Sequence, residues 1–450
     1  MGARPRAFYG WFVALAAFAV LATAYGAQFS YGVFVRAIED DTGWSRGQLA
    51  YPQSIYIFVY SVLSVASGWA TDRFGPRVVV ALGAVLLGSG YVLMSRVQEL
   101  WQVYLVLGLV AGVGMSASFV PCNATVVRWF VRRRGRALSI SSSGGSVGNI
   151  VAPLAAAALI GSIGWRSGFA VIGIVSAAVM LVCAAVLVRD PEQLGLRPDG
   201  DPPLPARARG GEEPLALGAA VDVDASAPAS ITEASYTARQ AVGTGSFWVM
   251  FFVFLLTWMA VFVPMVHLPA FAEDLGHSKV AAASVLSAVG VGGLVGRLSM
   301  GTASDHVGRR PALAAMMGIQ VIGFAGLAAS SGLIPLYLSA VVFGFAYGGG
   351  VVIFPALVGD FFGRASAGAI VGMIFAGAGG PAAAGPFLAG YLFDATGSYR
   401  ISLLAGVAVN LAALALITRL RPPAGRPVPV GAAQQAAPPA VGPAPSTAGG

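Results

Sequence analysis

A ten-residue signature occurs twice in this chain, as GWATDRFGPR from Gly68 and as GTASDHVGRR from Gly301, at an offset of 301 − 68 = 233 residues. Gly144 and Gly377, and Pro153 and Pro386, stand at the same offset, while Pro121 and Pro355 miss it by one. A chain that repeats itself at so many positions is an internal duplication, so its fold must be two copies of one unit. Each copy of the signature falls where one long apolar run ends and the next begins. The sequence therefore predicts, in each half, a short loop rich in Gly, Asp and Arg between two helices.

The solvent for those helices follows from composition. With 57% hydrophobic residues, 10% charged residues and a mean hydropathy of +0.77, the chain lies outside the range of soluble globular proteins. Runs long enough to cross a hydrocarbon core, about 20 residues each, number six per half. In the first half they cover approximately 10–35, 48–70, 78–95, 101–127, 137–161 and 168–188; in the second, approximately 246–271, 280–303, 311–330, 333–358, 367–392 and 400–418. The expected fold is an all-α membrane protein of twelve transmembrane helices in two pseudo-symmetric six-helix bundles, residues 1–188 and 246–420. Between them, 189–245 reads as a cytoplasmic linker dense in Pro, Ala, Gly and Asp, and 421–450 as a low-complexity, disordered tail.

The net charge of +8 would suggest a nucleic-acid partner in a soluble protein. Here the arginines sort by side. One set of inter-helix segments holds Arg73, Arg77, Arg128, Arg132, Arg133, Arg134, Arg136, Arg309, Arg310 and Arg364; the other holds Arg36, Arg46, Arg96, Arg166, Lys279 and Arg400. The excess marks the cytoplasmic side, with both termini inside and the plasma membrane of a bacterium as the expected location. Orientation accounts for the charge without nucleic acid. Cys122 and Cys183 fall inside spans and read as small packing residues. No nucleophile and base, metal cluster or phosphate loop stands at chemical spacing, so neither an enzyme nor a cofactor is expected.

Two six-helix halves with GxxxDRxGxR after the second helix, and a degenerate copy after the eighth, resemble the major facilitator superfamily. The run WFVRRRGRALSISSSGGSVG from Trp129, the opening FYGWFVAL from Phe8 and GRLSMG from Gly296 resemble its monocarboxylate transporters and oxalate/formate exchangers. The resemblance implies a secondary transporter working by alternating access on a small monocarboxylate or related organic anion, with protons or a counter-anion as the coupled species. Two alternatives stay open, an exporter of aromatic or apolar acids and drug-like compounds, and a sensor that kept the fold. By resemblance, Asp72, Arg73, Arg77 and Arg128 latch one half of an inner gate, and Asp305, Arg309 and Arg310 the other. His306 stands where the first copy has Arg73, which implies a weaker second latch. The resemblance also makes Arg297 the ligand of the substrate carboxylate. Animal monocarboxylate transporters carry an ionisable Lys and Asp where this chain has Phe29 and Gly293, which puts proton symport by that route in doubt.

Arg297 stands out independently of family. It lies about 7 residues, roughly 10 Å, inside a predicted span, where a charge costs about 2.5 to 3.5 kcal/mol and calls for a partner or a watery cavity. Its repeat counterpart is Ser64, so the duplicated architecture does not require a charge there. A snorkelling arginine remains the plainer reading. Tyr25 and Gln28, Tyr56 and Tyr60, Asn123 and Tyr347 are the polar groups expected to help bind a carboxylate or an α-hydroxyl, each also readable as a packing residue. His267, near the opposite end of the seventh span, reads either as an outer-gate histidine or as a proton carrier.

Overall fold

The computed structural model describes residues 8–201 and 235–423; the remainder of the linker, most of the tail and Met1–Ala7 lie outside the described residues. The described chain is helical almost throughout. In order it forms α1 (Tyr9–Thr42), α2 (Arg46–Phe74), α3 (Pro76–Met94) and α4 (Leu100–Trp129). A stretch Arg134–Val186 follows, divided at Gly164 into α5 (134–163) and α6 (165–186). The second half holds α7 (Gly245–Asp274), α8 (Lys279–Val307), α9 (Arg309–Ala329), α10 (Leu333–Phe362), α11 (Ala367–Thr396) and α12 (Arg400–Ile417). Ten helical stretches are long and apolar enough to cross a membrane. Dividing Arg134–Val186 and adding α11, which opens with the apolar stretch Ala367–Gly377, brings the number to twelve.

The duplication is written into the backbone. Gly43, Gly75 and Gly164 have φ of 73°, 87° and 78°, and Gly276, Gly308 and Gly397, each 233 residues later, have 87°, 90° and 68°. A positive φ is open to glycine and costly for a residue with a Cβ, so these glycines turn the chain at corresponding corners of the two halves. Ser45 and Ser278, again 233 apart, both cap the next helix, accepting from the N–H of Gln48 and of Ala281.

The signature does not form the expected loop. Helix α2 runs through Asp72 to Phe74 and α3 begins at Pro76, leaving Gly75 as the whole junction; α8 and α9 meet in the same way at Gly308. One residue with positive φ reverses the path at each, and in α3 Pro76 at the first helical position gives up an N–H that would have had no partner anyway. Both aspartates thus sit on helices with fixed direction.

Within the first half α1 and α3 pack on the α5–α6 stretch and α2 on α4; within the second α8 and α9 pack on α10, and α7 on α11 and α12. Between the halves α2 meets α11 and α5 meets α8. Large apolar side chains such as Phe58, Leu82, Leu154, Val182, Ile334 and Phe387 are exposed around the outside, as a lipid-facing surface requires.

Candidate functional site

The two halves touch through glycines on the arginine-rich face. A Cβ on Gly68 would run into the carbonyl of Gly368, and a Cβ on Gly301 into that of Gly135. These two contacts are related by the 233-residue offset, so α2 reaches the start of α11 as α8 reaches the start of α5.

That approach places each signature aspartate at the N-terminus of a helix in the other half. Asp72 accepts from the N–H of Gly368 at 3.2 Å and of Ala369 at 2.8 Å; Asp305 accepts from Gly135 at 2.8 Å and Arg136 at 2.9 Å. A helix N-terminus has N–H groups without intrahelical partners and the positive end of its dipole, so a carboxylate there makes charge-assisted bonds. Arginines complete each latch. Arg128 donates to Asp72 at 2.7 Å, to Asp190 at 2.9 Å and to the carbonyl of Ala365. Arg309 binds both Asp305 and Asp360, the latter at 3.0 Å, and Arg134 also binds Asp360.

The structure redistributes the other basic residues of the signature. Arg73 lies over the rings of Trp69 and Phe74, 5.5 and 5.6 Å from their centroids, which holds its charge at the helix end and away from the latch. Among the described residues no ion pair forms on Arg73 or Arg77. Arg310 donates to the carbonyls of Ile417 and Thr418, closing the end of α12. The replacement of Arg73 by His306 in the second copy therefore leaves the Asp305 latch complete.

The linker contributes what the sequence did not announce. Its first residues fold against this face: Arg189 donates to the Asp72 carbonyl at 3.0 Å, and the Asp199 carboxylate accepts from the N–H groups of Val131, Arg132 and Arg133. Glu192 pairs with Arg364 of the second half at 3.1 Å. Burial alone would raise the Asp190 carboxyl, but the Arg128 and Arg189 guanidiniums override it and hold it below the ordinary carboxylate value. A lowered native value gives stability that is present above the ordinary carboxylate pKa and lost as pH falls through the lowered one. Asp190→Asn is accordingly expected to lower the thermal midpoint at neutral pH, and parent and variant midpoints should converge on acidification.

The family-like aromatic signatures meet each other. Phe8 packs on Trp129 and Phe130, Tyr9 on Trp129 and Trp11 on Phe130, with centroids 4.7 to 5.8 Å apart, fixing the start of α1 to the turn between α4 and α5.

Deeper between the halves lies Arg297. Helix α8 continues to Val307, so Arg297 is a turn deeper than its apolar run implied, roughly 15 Å from the helix end. The guanidinium bonds the hydroxyl of Ser146 on α5 and stands 5.5 Å from the Tyr347 ring centroid, while its buried Nε has no partner. Among the described residues no carboxylate pairs with it. The Tyr25 ring lies against Gly145, next to Ser146, and Tyr56 packs on Tyr60 with centroids 6.0 Å apart. Gln28 Oε1 and the Tyr56 hydroxyl are buried and unpartnered. Aromatic rings of both halves, Tyr60, Phe119, Trp258 and Phe375, touch one another beside this cluster, 5.0 to 5.9 Å apart through Phe375.

Two candidates fall outside it. Asn123 spends its amide on packing, donating to the Phe119 carbonyl and accepting from Ser141 and Ser142. His267 Nε2 lies 2.9 Å from the Pro386 carbonyl with its ring on Tyr399, joining α7 to α11 and α12 well away from Arg297.

The sequence matches the family model for the Major Facilitator Superfamily over residues 16–380 and 300–444. It is 30% identical to human monocarboxylate transporter 11 over 414 residues, covering 89% of this chain and 80% of that protein. It is 28% identical to rat monocarboxylate transporter 13 over 430 residues, covering 92% and 90%. The fold is similar to that of the proton:xylose symporter XylE, with a TM-score of 0.70 at 14% identity over 92% of this chain and 96% of that one. Duplicated halves, membrane-length helices and sequence match agree: the chain is a multi-pass membrane protein that belongs to the Major Facilitator Superfamily, similar along most of its length to the monocarboxylate transporters.

Proposed function

We propose that the chain is a secondary transporter for a small monocarboxylate or related organic anion, alternating access about Arg297. The observation that carries the reading is a guanidinium deep in a span, between the halves, with an unpaired Nε and no acidic partner among the described residues. An incoming carboxylate supplies the missing acceptor through two parallel hydrogen bonds. Ser146, Tyr347 and Tyr25 supply the neighbouring hydroxyls, with Gln28 Oε1 as acceptor for a substrate hydroxyl and Tyr56 further off behind Tyr60.

The arginine-rich face is taken as cytoplasmic, with both termini inside and residues 189–245 linking bundles 1–188 and 246–420. Closure of the latches on that face then corresponds to the outward-facing half of the cycle. The positions of Phe29 and Gly293 leave this chain without the ionisable pair of the animal relatives, which favours anion exchange or uniport over proton symport. A second reading, an exporter of aromatic acids, is favoured by the rings of Tyr60, Phe119, Trp258 and Phe375 beside the cluster.

Thermal unfolding of the purified protein against a panel of short and aromatic monocarboxylates, dicarboxylates and the matching neutral amides tests the reading, since a ligand of the folded state raises its midpoint. Monocarboxylates should stabilise and their amides should not. Equal stabilisation by acid and amide would overturn it.

A further inference from the structure

Gln320 on α9 is fully buried, and neither its amide oxygen nor its amide nitrogen has a hydrogen-bonding partner in the protein. A bare buried polar group costs about 1 to 3 kcal/mol, and a span offers no bulk solvent to relieve it. The side chain lines a cavity of about 30 Å³ between α7, α9 and α10, together with Met250, Thr257, Met317, Val351 and Phe354. One water molecule needs about 10 to 15 Å³ of such space and two to four polar partners. That space suits about two waters.

A second polar group comes from the backbone. Pro355 lies inside α10, and proline has no N–H, so the carbonyl four residues earlier loses the donor that a regular helix provides. That carbonyl belongs to Val351, which lines the same cavity. Thr257 adds a hydroxyl whose donor is directed at Met317 Sδ at 3.3 Å, leaving its lone pairs as acceptors.

We propose that bound water occupies this cavity, bridging the Gln320 amide and the Val351 carbonyl, and makes the proline turn of α10 a wet hinge. The hinge lies between Tyr347, which stacks on Arg297, and Asp360, which holds Arg134 and Arg309. With water serving the freed carbonyl, α10 bends at Pro355 without exposing a bare backbone group. The inner end of α10, and Asp360 with it, can then swing relative to the Arg297 cluster. The first half solves the same problem differently. Around Pro121 the helix is already interrupted at Ala117 and Ser118, so no regular turn is lost at the carbonyl four residues before it.

X-ray radiolytic footprinting of the full-length protein reads the water directly, because a water in contact with methionine sulfur turns the dose into local oxidation. Met317, 2% exposed, should oxidise several-fold faster than Met180, which is 0% exposed and lies on α6. Gln320→Leu should bring Met317 down to the Met180 rate, while Gln320→Glu, which keeps polar atoms at the site, should preserve the excess. If Gln320→Leu does not fold, Gln320→Met takes its place. Equal rates for Met317 and Met180 in the parent, or an undiminished Met317 rate in the apolar variants, would overturn the proposal.

Discussion

Arg297→Ala is expected to abolish saturable uptake of the acid while folded protein still reaches the membrane. Truncating one side of a desolvated, hydrogen-bonded charge pair costs about 2 to 5 kcal/mol, which is a loss of about thirtyfold or more in affinity. Two features of the site make the upper part of that range the better expectation. Among the described residues no second cation pairs into the site to take over the carboxylate, and Ser146 and Tyr347 beside Arg297 offer only hydroxyls. Arg297→Lys keeps the charge and loses the planar fork, so it should bind more weakly and still prefer anions to amides. The measurement is the ligand-induced thermal shift in parent and variants. Undiminished stabilisation by the acid in Arg297→Ala would return Arg297 to a snorkelling role and open the substrate to neutral compounds.

The second large effect is expected at the latches. Asp72→Asn and Asp305→Asn each remove a carboxylate that holds two helix N–H groups and an arginine. Charge-assisted bonds contribute about 1.5 to 3 kcal/mol each, so one variant should shift the ratio of closed to open latch about tenfold or more. Neither should destroy the fold, because Arg128 retains Asp190 and Arg309 retains Asp360. Spin labels at positions 78, exposed near the start of α3, and 366 would report the separation of the halves. Asp72→Asn should populate longer distances and slow transport more than it weakens binding. A distance distribution like that of the parent, with parental transport, would remove the aspartate from the gate.

Much of the architecture was legible because the duplication repeats its own punctuation. Apolar length marks the helices, and the 233-residue frame aligns their ends. The loop expected at the signature was absent for a local reason, since one glycine in the left-handed region does the work of several residues. The latch was legible only in part. Asp72 and Asp305 appear in both copies and so stand out, whereas Asp190, Asp360, Arg134 and Glu192 occur once and carry no periodic mark. The partners of Asp72 are the N–H groups of Gly368 and Ala369, far along the chain, and nothing local in the signature announces them. Arg73 misled because its charge obeys the orientation rule while its side chain is taken up by Trp69 and Phe74. Depth and the lack of a nearby acid single out Arg297 in the sequence, and its Ser146 and Tyr347 neighbours come from the fold.

The matched left-handed glycines carry one more consequence. Gly43, Gly75 and Gly164 correspond to Gly276, Gly308 and Gly397 at one offset, and the one-residue slip at Pro121 and Pro355 is made good before the next corner. A single insertion in a helix turns everything beyond it by about 100°, which would carry Asp72, Ser146 or Arg297 off the seam and into lipid. The spacing of the corners is therefore itself a structural constraint, and the two halves differ in spelling while keeping the same metre.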